Sequence, residues 1–317
     1  MSAPPRAPES PLALGIDAGG TETRWALAGP GGEFVAEGAV GGFSAVEAQG
    51  PGQARVAQLL AALAQAVLAW GRPVRVHAGL TGLGAAGQGL TRLIAEPLGL
   101  PIEAVTLGSD IETAYLDLFA PGEGYLVYAG TGSVAAFLDA DGNLHRAGGR
   151  GVIIDDGGGG FWIAREALRQ VWRAEDERPG SGAESPLAQE LFALVGGADW
   201  DHTRQAVYGG TRGDIGRLAL AVARAADRDP AAQAILAAAG RELARLAGAL
   251  IDRYGPRPVA LSGRAASLHP LIAATLAEGL PPGITMAVRT GHGEHAAARI
   301  ALAAAAKPLP SIQDSQP

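Results

Sequence analysis

Apolar positions in this chain fall into short runs that end at glycine, separated by stretches with helical spacing. Residues 12–16 form an apolar run closed by Asp17 and two glycines, the pattern of a buried strand feeding a tight loop. Residues 25–27 and 34–36 flank Pro30-Gly31-Gly32 and predict a hairpin. Between 53 and 70, Val56, Leu59, Leu60, Leu63, Val67 and Leu68 recur at helical spacing. A strand over 74–80, a helix near 89–98 and a strand over 104–107 follow, the last running into Ser109-Asp110. The plan then starts again. Residues 125–129 predict a strand, 130–133 a loop, and 134–138 with 144–146 a hairpin. Asp155-Asp156 and four glycines precede a helix in which Phe161, Ala164, Leu168 and Val171 share a face. Residues 180–184 read as a surface loop, helices dominate 185–253, 259–261 is a strand ending in Ser262-Gly263, and 296–306 is an alanine-rich closing helix.

One segment occurs twice. Ala18-Gly19-Gly20-Thr21 leads to Pro30-Gly31-Gly32 and Glu37-Gly38, while Ala129-Gly130-Thr131-Gly132-Ser133 leads to Asp141-Gly142-Asn143 and Gly148-Gly149. The offset, 129 − 18 = 111, holds without a gap. Two copies of a loop-bearing hairpin suggest a duplicated fold whose loops face each other across a cleft. A glycine loop after a strand lets backbone N–H groups converge on an anion, because no Cβ blocks the approach. Thr21 and Thr23, or Thr131 and Ser133, add hydroxyls at the same rim. Two equivalent loops suit a nucleotide whose β- and γ-phosphates are gripped from both sides.

Composition narrows the partners. At 317 residues the chain is long enough for two domains, and strand, hairpin, helix and strand twice over predict an α/β plan with mixed sheets. Hydrophobic residues at 48% against 18% charged exclude a disordered chain. The net charge of −7 argues against nucleic acid, which needs a basic surface, and leaves backbone N–H groups and a metal ion to hold any anionic substrate. The absence of cysteine removes disulfides, thiol nucleophiles and iron–sulfur clusters, and fits a reducing cytoplasm. No uncharged run of about 18 apolar residues predicts a membrane span. Residues 1–9 lack the pattern of a signal peptide and, with 307–317, are expected to be flexible tails.

Two further patterns compete for attention. Gly82-Leu83-Gly84-Ala85-Ala86-Gly87 satisfies the dinucleotide fingerprint after a strand, but with 47 glycines chance matches are cheap and no run of simple βαβ units surrounds it. His292 and His295 share the face of a helix start and could bind metal; without a third clear ligand, surface histidines are the simpler reading.

At these residues the chain resembles the actin-like ATPase superfamily of sugar kinases, hexokinases and heat-shock ATPases. More closely, it resembles the N-acetylglucosamine kinase group and the BadF/BadG/BcrA/BcrD-type ATPases. The first phosphate motif is matched by residues 15–24, GIDAGGTETR, and the second by Ala129-Gly130-Thr131-Gly132-Ser133. Gly148-Gly149-Arg150-Gly151 with Asp155-Asp156-Gly157-Gly158 matches the third, and Leu261-Ser262-Gly263 the adenosine motif. The resemblance implies two ribonuclease-H-like domains with an active site in the cleft between them, placed here at 10–117 and 118–306, the last helix able to pack back on the first domain. It implies ATP with Mg²⁺ and phosphoryl transfer to a sugar hydroxyl, most plausibly of N-acetylglucosamine or a related amino sugar or hexose, in a cytoplasmic enzyme for which a homodimer is compatible. By position Asp110 is the expected catalytic base, and Asp17 the expected Mg²⁺ residue, acting through water. ATP is expected at Gly19, Gly20, Thr21, Thr23, Gly130, Thr131, Gly132, Ser133 and Gly263; sugar is expected at Thr81, Asp110, Gly148, Gly149 and Asp156. Ser109-x-x-Glu112 reads as a capping box, which frees Asp110 from capping the helix that follows.

The match has departures. Gly41-Gly42-Phe43-Ser44 and Val134 stand where the kinase group has asparagines; Arg150, Gly157 and Gly159 stand where it has Trp, Glu and Ser. These favour, as the alternative, an ATP-binding regulator or sensor with weak or no kinase activity. The cysteine-ligated activator role found among these ATPases is excluded by composition. No helix-turn-helix pattern precedes Leu12, so a repressor is not expected.

Overall fold

The computed structural model describes residues 11–20, 22–83 and 87–306. Thr21, the Gly84-Ala85-Ala86 part of the dinucleotide-like pattern and the expected tails lie outside them. The chain forms two compact units: one runs to Asp117 and resumes at His292, the other is Leu118–Gly291.

In the first unit, β1 (Leu12–Ala18), β2 (Glu22–Ala28), β3 (Phe34–Gly41), α1 (Gln53–Leu68), β4 (Pro73–Leu80), α2 (Gly87–Leu98), β5 (Val105–Ser109) and α3 (Asp110–Leu118) follow one another. The sheet order is β3-β2-β1-β4-β5, with β1 antiparallel to β2 and parallel to β4. The continuous apolar run of β1 has its reason in this central place, since both of its faces are covered. The second unit repeats the scheme: β6 (Tyr125–Ala129), β7 (Ser133–Leu138) and β8 (Leu144–Gly148) form the antiparallel part. Helices α4 (Gly160–Glu177), α5 (Pro186–Val195), α6 (Trp200–Gly209), α7 (Arg212–Arg217), α8 (Ala219–Ala225) and α9 (Pro230–Tyr254) intervene before β9 (Val259–Ser262), α10 (Pro270–Glu278) and β10 (Met286–Val288). Its order is β10-β9-β6-β7-β8, the same connectivity as the first sheet. The repeat in the sequence is therefore a repeat in topology: β1 and β6 end at Ala18 and Ala129, and the next strands begin at Glu22 and Ser133, 133 − 22 = 111.

Local chemistry explains the helical stretch. Ser185, Asp199, Thr211 and Asp229 each accept a backbone N–H at a helix start, and Pro230 occupies the first turn of α9 where its missing N–H costs nothing. Residues 180–184 are not a plain surface loop. Ser181 and Gly182 are buried because the Glu175 carboxylate accepts the Gly180 and Gly182 N–H groups at 2.9 and 2.5 Å. Three-residue β10 is too short to leave a periodic signal and was not expected.

The closing helix α11 (Gly293–Ala305) packs against β1, β2 and β4 of the first sheet. The contact is backbone to backbone: a Cβ added at Gly15 would lie 2.1 Å from Ala298 N and 2.2 Å from Glu294 O. Glycine is needed there to let the helix seat on the strand. A similar approach joins α9 to α10, where a Cβ at Gly240 would meet Ile272 O at 2.5 Å, whereas Gly248 in the same helix faces open space. The pair makes a contrast that thermodynamics can read. Gly248→Ala is expected to raise stability by about 0.5–1 kcal/mol through helix propensity, and Gly240→Ala to lower it by roughly 1–3 kcal/mol through overpacking. Urea midpoints of the two variants check this; equal shifts would contradict the packing.

Candidate functional site

β1, β4 and β5 run parallel, so their carboxyl ends lie on one edge of the first sheet. Open α/β sheets bind ligands at that edge. Asp17 sits one residue before the end of β1, Thr81 just after β4, and Asp110 just after β5. The Thr81 N–H donates to Ala18 O at 3.1 Å, and its hydroxyl donates to Asp110 Oδ2 at 2.5 Å. Asp110 Oδ1 accepts the Ile111 N–H at 2.9 Å. The Ser109 hydroxyl accepts the Glu112 N–H at 3.1 Å, so Ser109 caps α3 as its spacing predicts and the Asp110 carboxylate remains turned to Thr81.

Asp17 has an unusual setting. Its carboxyl is pushed up to about 7 by burial first, then by the charges of Asp110 and Glu294, with Arg24 opposing. Gly293, at the start of α11, abuts it: a Cβ there would fall 2.7 Å from the carboxyl carbon. Glu294 is itself buried, an acid that the alanine-rich pattern of the helix did not single out. Asp17 is thus a buried carboxyl that feels the negative charge of both Asp110 and Glu294, and a bound hard divalent cation would favour its charged form.

In the first loop, the Gly19 N–H closes its own turn onto Glu22 O at 3.1 Å, while Gly20 borders open space. Thr23 does not reach the rim. Strand alternation turns it inward, where it is fully buried with no partner for its hydroxyl. The segment 41–44 is also occupied structurally: Phe43 belongs to the first core, and the Ser44 hydroxyl accepts the Glu47 N–H.

The second unit builds its loop differently. The carbonyls of Gly130 and Thr131 accept the Gly160 and Phe161 N–H groups at 2.9 and 3.0 Å, supplying the first turn of α4 with acceptors. No described peptide bond is cis, so the next N–H groups, on Thr131 and Gly132, point the opposite way, side by side and away from α4. They are a pair of adjacent backbone donors at the end of β6. Gly130 N–H is used within the turn, on Gly132 O, and the buried Ser133 hydroxyl donates to Gly157 O at 2.7 Å. The glycines of 157–160 let the two segments touch: a Cβ at Gly159 would lie 2.6 Å from the Gly132 carbonyl carbon. Gly263, at φ 100°, packs against Ala129 O at the carboxyl end of β6.

Asp156 is buried beside this loop, with a Cβ position at Gly132 only 2.2 Å from its Oδ2. It adopts φ 57°, the one left-handed non-glycine among the described residues, a conformation that Asp tolerates. Burial raises its pKa, against the N–H groups of Gly151 and Arg150 that it accepts; Asp155 adds to the rise and Arg212 opposes it. Gly148 and Gly149, at φ 74° and 64°, turn the chain beside Val134. The expected residues thus gather within each unit: Asp17, Thr81 and Asp110 in the first, and 130–133, Gly148, Gly149, Asp156 and Gly263 in the second.

The sequence model of the BadF/BadG/BcrA/BcrD ATPase family matches residues 14–278. Among solved structures, a candidate N-acetylglucosamine kinase from Chromobacterium violaceum is 27% identical, with a TM-score of 0.70 over 93% of this chain and 100% of that one. Another from Porphyromonas gingivalis is 16% identical, with a TM-score of 0.71 over 92% and 99%. A ROK-family glucokinase from Streptomyces griseus, solved with glucose and AMPPNP, is 15% identical, with a TM-score of 0.56 over 91% and 98%. No curated protein matches the sequence significantly. Among the described residues no helix is long and apolar enough to cross a membrane.

The raised pKa of Asp17 has a signed consequence. Below about pH 4 the acid is protonated folded and unfolded alike; between that and about 7 the folded chain holds a proton the unfolded chain gives up. The stability this gives is therefore complete at low pH and lost as pH rises through about 7. Asp17→Asn is expected to be more stable than the parent at pH 8 without added metal, on the order of 2 kcal/mol, with the gap closing towards pH 4. Denaturant titrations at several pH values measure it; a variant less stable than the parent at pH 8 would contradict this setting for Asp17.

Proposed function

We propose, from the premise that the chain belongs to the BadF/BadG/BcrA/BcrD ATPase family, that it transfers the γ-phosphoryl group of ATP to a sugar hydroxyl, with N-acetylglucosamine or a related amino sugar or hexose as acceptor. The observation that carries the proposal is the Thr81–Asp110 pair at the carboxyl edge of the first sheet. Asp110 orients the acceptor hydroxyl and takes its proton as the phosphoryl group leaves. Thr81 and the Ile111 N–H fix the carboxylate for that task, which in phosphoryl transfer is mainly one of positioning.

The N–H groups of Thr131 and Gly132 receive phosphate oxygens, with Gly20 and Thr21 as their counterparts in the first loop. Gly19 and Gly130 hold the turns, and Ser133 holds the loop to Gly157. Gly263 lets the backbone approach the adenosine. Asp156, Gly148 and Gly149 contact the sugar. Asp17 is the residue that would hold Mg²⁺, through water, and the ion would supply countercharge to the phosphates there. The likeness to the Chromobacterium violaceum protein supports the choice of an amino sugar first.

ADP release coupled to a panel of hexoses and amino sugars tests the proposal. Turnover is expected with at least one sugar, reduced about 10²- to 10⁴-fold in Asp110→Asn, with a smaller loss in kcat for Thr81→Val. If no sugar raises ADP release above the basal rate, the reading as a nucleotide-dependent regulator replaces it.

A further inference from the structure

His292 and His295, which the kinase reading leaves without a role, acquire a third partner in the folded chain. Among the described residues, His292, Glu294 and His295 each offer one ligand atom, all within 4.8 Å of one another. His292 Nδ1 lies 3.2 Å from Glu294 Oε1, and the two imidazoles stack with centroids 4.8 Å apart. Glu294 is only 5% exposed, and its Oε2 has no hydrogen-bond partner, a costly state for a buried carboxylate oxygen. His295 is held from behind. Its Nε2 meets Glu37 Oε1 on β3 at 2.9 Å, and its ring stacks on Phe34 at 3.9 Å. With Nε2–H donating to Glu37, a neutral His295 presents Nδ1 as its lone pair, the carboxylate–histidine arrangement that orients imidazole ligands.

We propose that His292, Glu294 and His295 form a binding site for a divalent transition-metal ion such as Zn²⁺ or Co²⁺, separate in chemistry from an oxygen-only Mg²⁺ position at Asp17. Two imidazoles and a carboxylate suit such ions, and Mg²⁺ prefers oxygen. Donors on a tetrahedral ion at about 2.1 Å stand roughly 3.4 Å apart; His292 Nδ1 and Glu294 Oε1 are already at 3.2 Å, and with all three ligand atoms within 4.8 Å of one another no pair must close by more than about 1.4 Å. The site does not depend on the kinase reading.

Co²⁺ is the probe, followed by calorimetry and visible absorption in the presence of excess Mg²⁺. One Co²⁺ is expected to bind per chain. Binding is expected to be lost in His292→Ala and in His295→Phe, which keeps the stack on Phe34, and weakened about 10- to 100-fold in Glu37→Gln. Circular dichroism confirms that the variants fold. Co²⁺ binding unchanged in the two histidine variants, or no binding to the parent chain at millimolar Co²⁺, would overturn the site.

Discussion

The carboxyl edge of the first sheet depends on a contact in which no side chain takes part. Gly15 in the middle of β1 lets the backbone of α11 lie directly on the strand, within a distance that any Cβ would close. From that approach the rest follows. Gly293 is brought against the Asp17 carboxylate, Glu294 is carried into the protein, and Asp17 loses water while gaining a second acid beside Asp110. The raised pKa of Asp17 is thus the electrostatic cost of a packing choice, and it is a cost that a cation bound there would relieve. Sites of function are where local stability is given up in this way.

The second unit meets the same need by another route. Its loop carbonyls are turned back onto the start of α4, and the glycines at 157–160 let the two backbones meet. Turning the carbonyls one way turns the following N–H groups the other, so the orientation of this donor pair is a by-product of capping a helix. Asp156 supports the segment from a left-handed position, one carboxylate oxygen accepting the Gly151 N–H at 3.0 Å. A substitution of any of these glycines would act first on the loop and only then on binding.

Much of this was legible in the residues. Apolar runs ending at glycine marked β1, β4, β6 and β9, the repeat at a constant offset marked the shared topology, and Ser109 with Glu112 marked the start of α3. Other features left no trace that periodicity can carry. Met286–Val288 is too short. Thr23 has the residue type of a phosphate contact, but strand alternation buries it, and alternation is read only once the register is known. Glu294 looks like an ordinary acid in the first turn of a helix; its burial depends on Gly15, almost three hundred residues earlier in the chain, and on the backbone of α11 filling the space above it. His292 and His295 lacked a third ligand for the same reason.

The claim that ties packing to chemistry is that α11 turns Asp17 into an acid that calls for a cation. The carboxyl ¹³C shift of Asp17, followed through a pH titration by NMR, tests it most directly. Without metal or nucleotide it should titrate near pH 7, and with Mg-ATP bound the transition should move well below that. A carboxyl that titrates near pH 4 in the free protein would contradict the account.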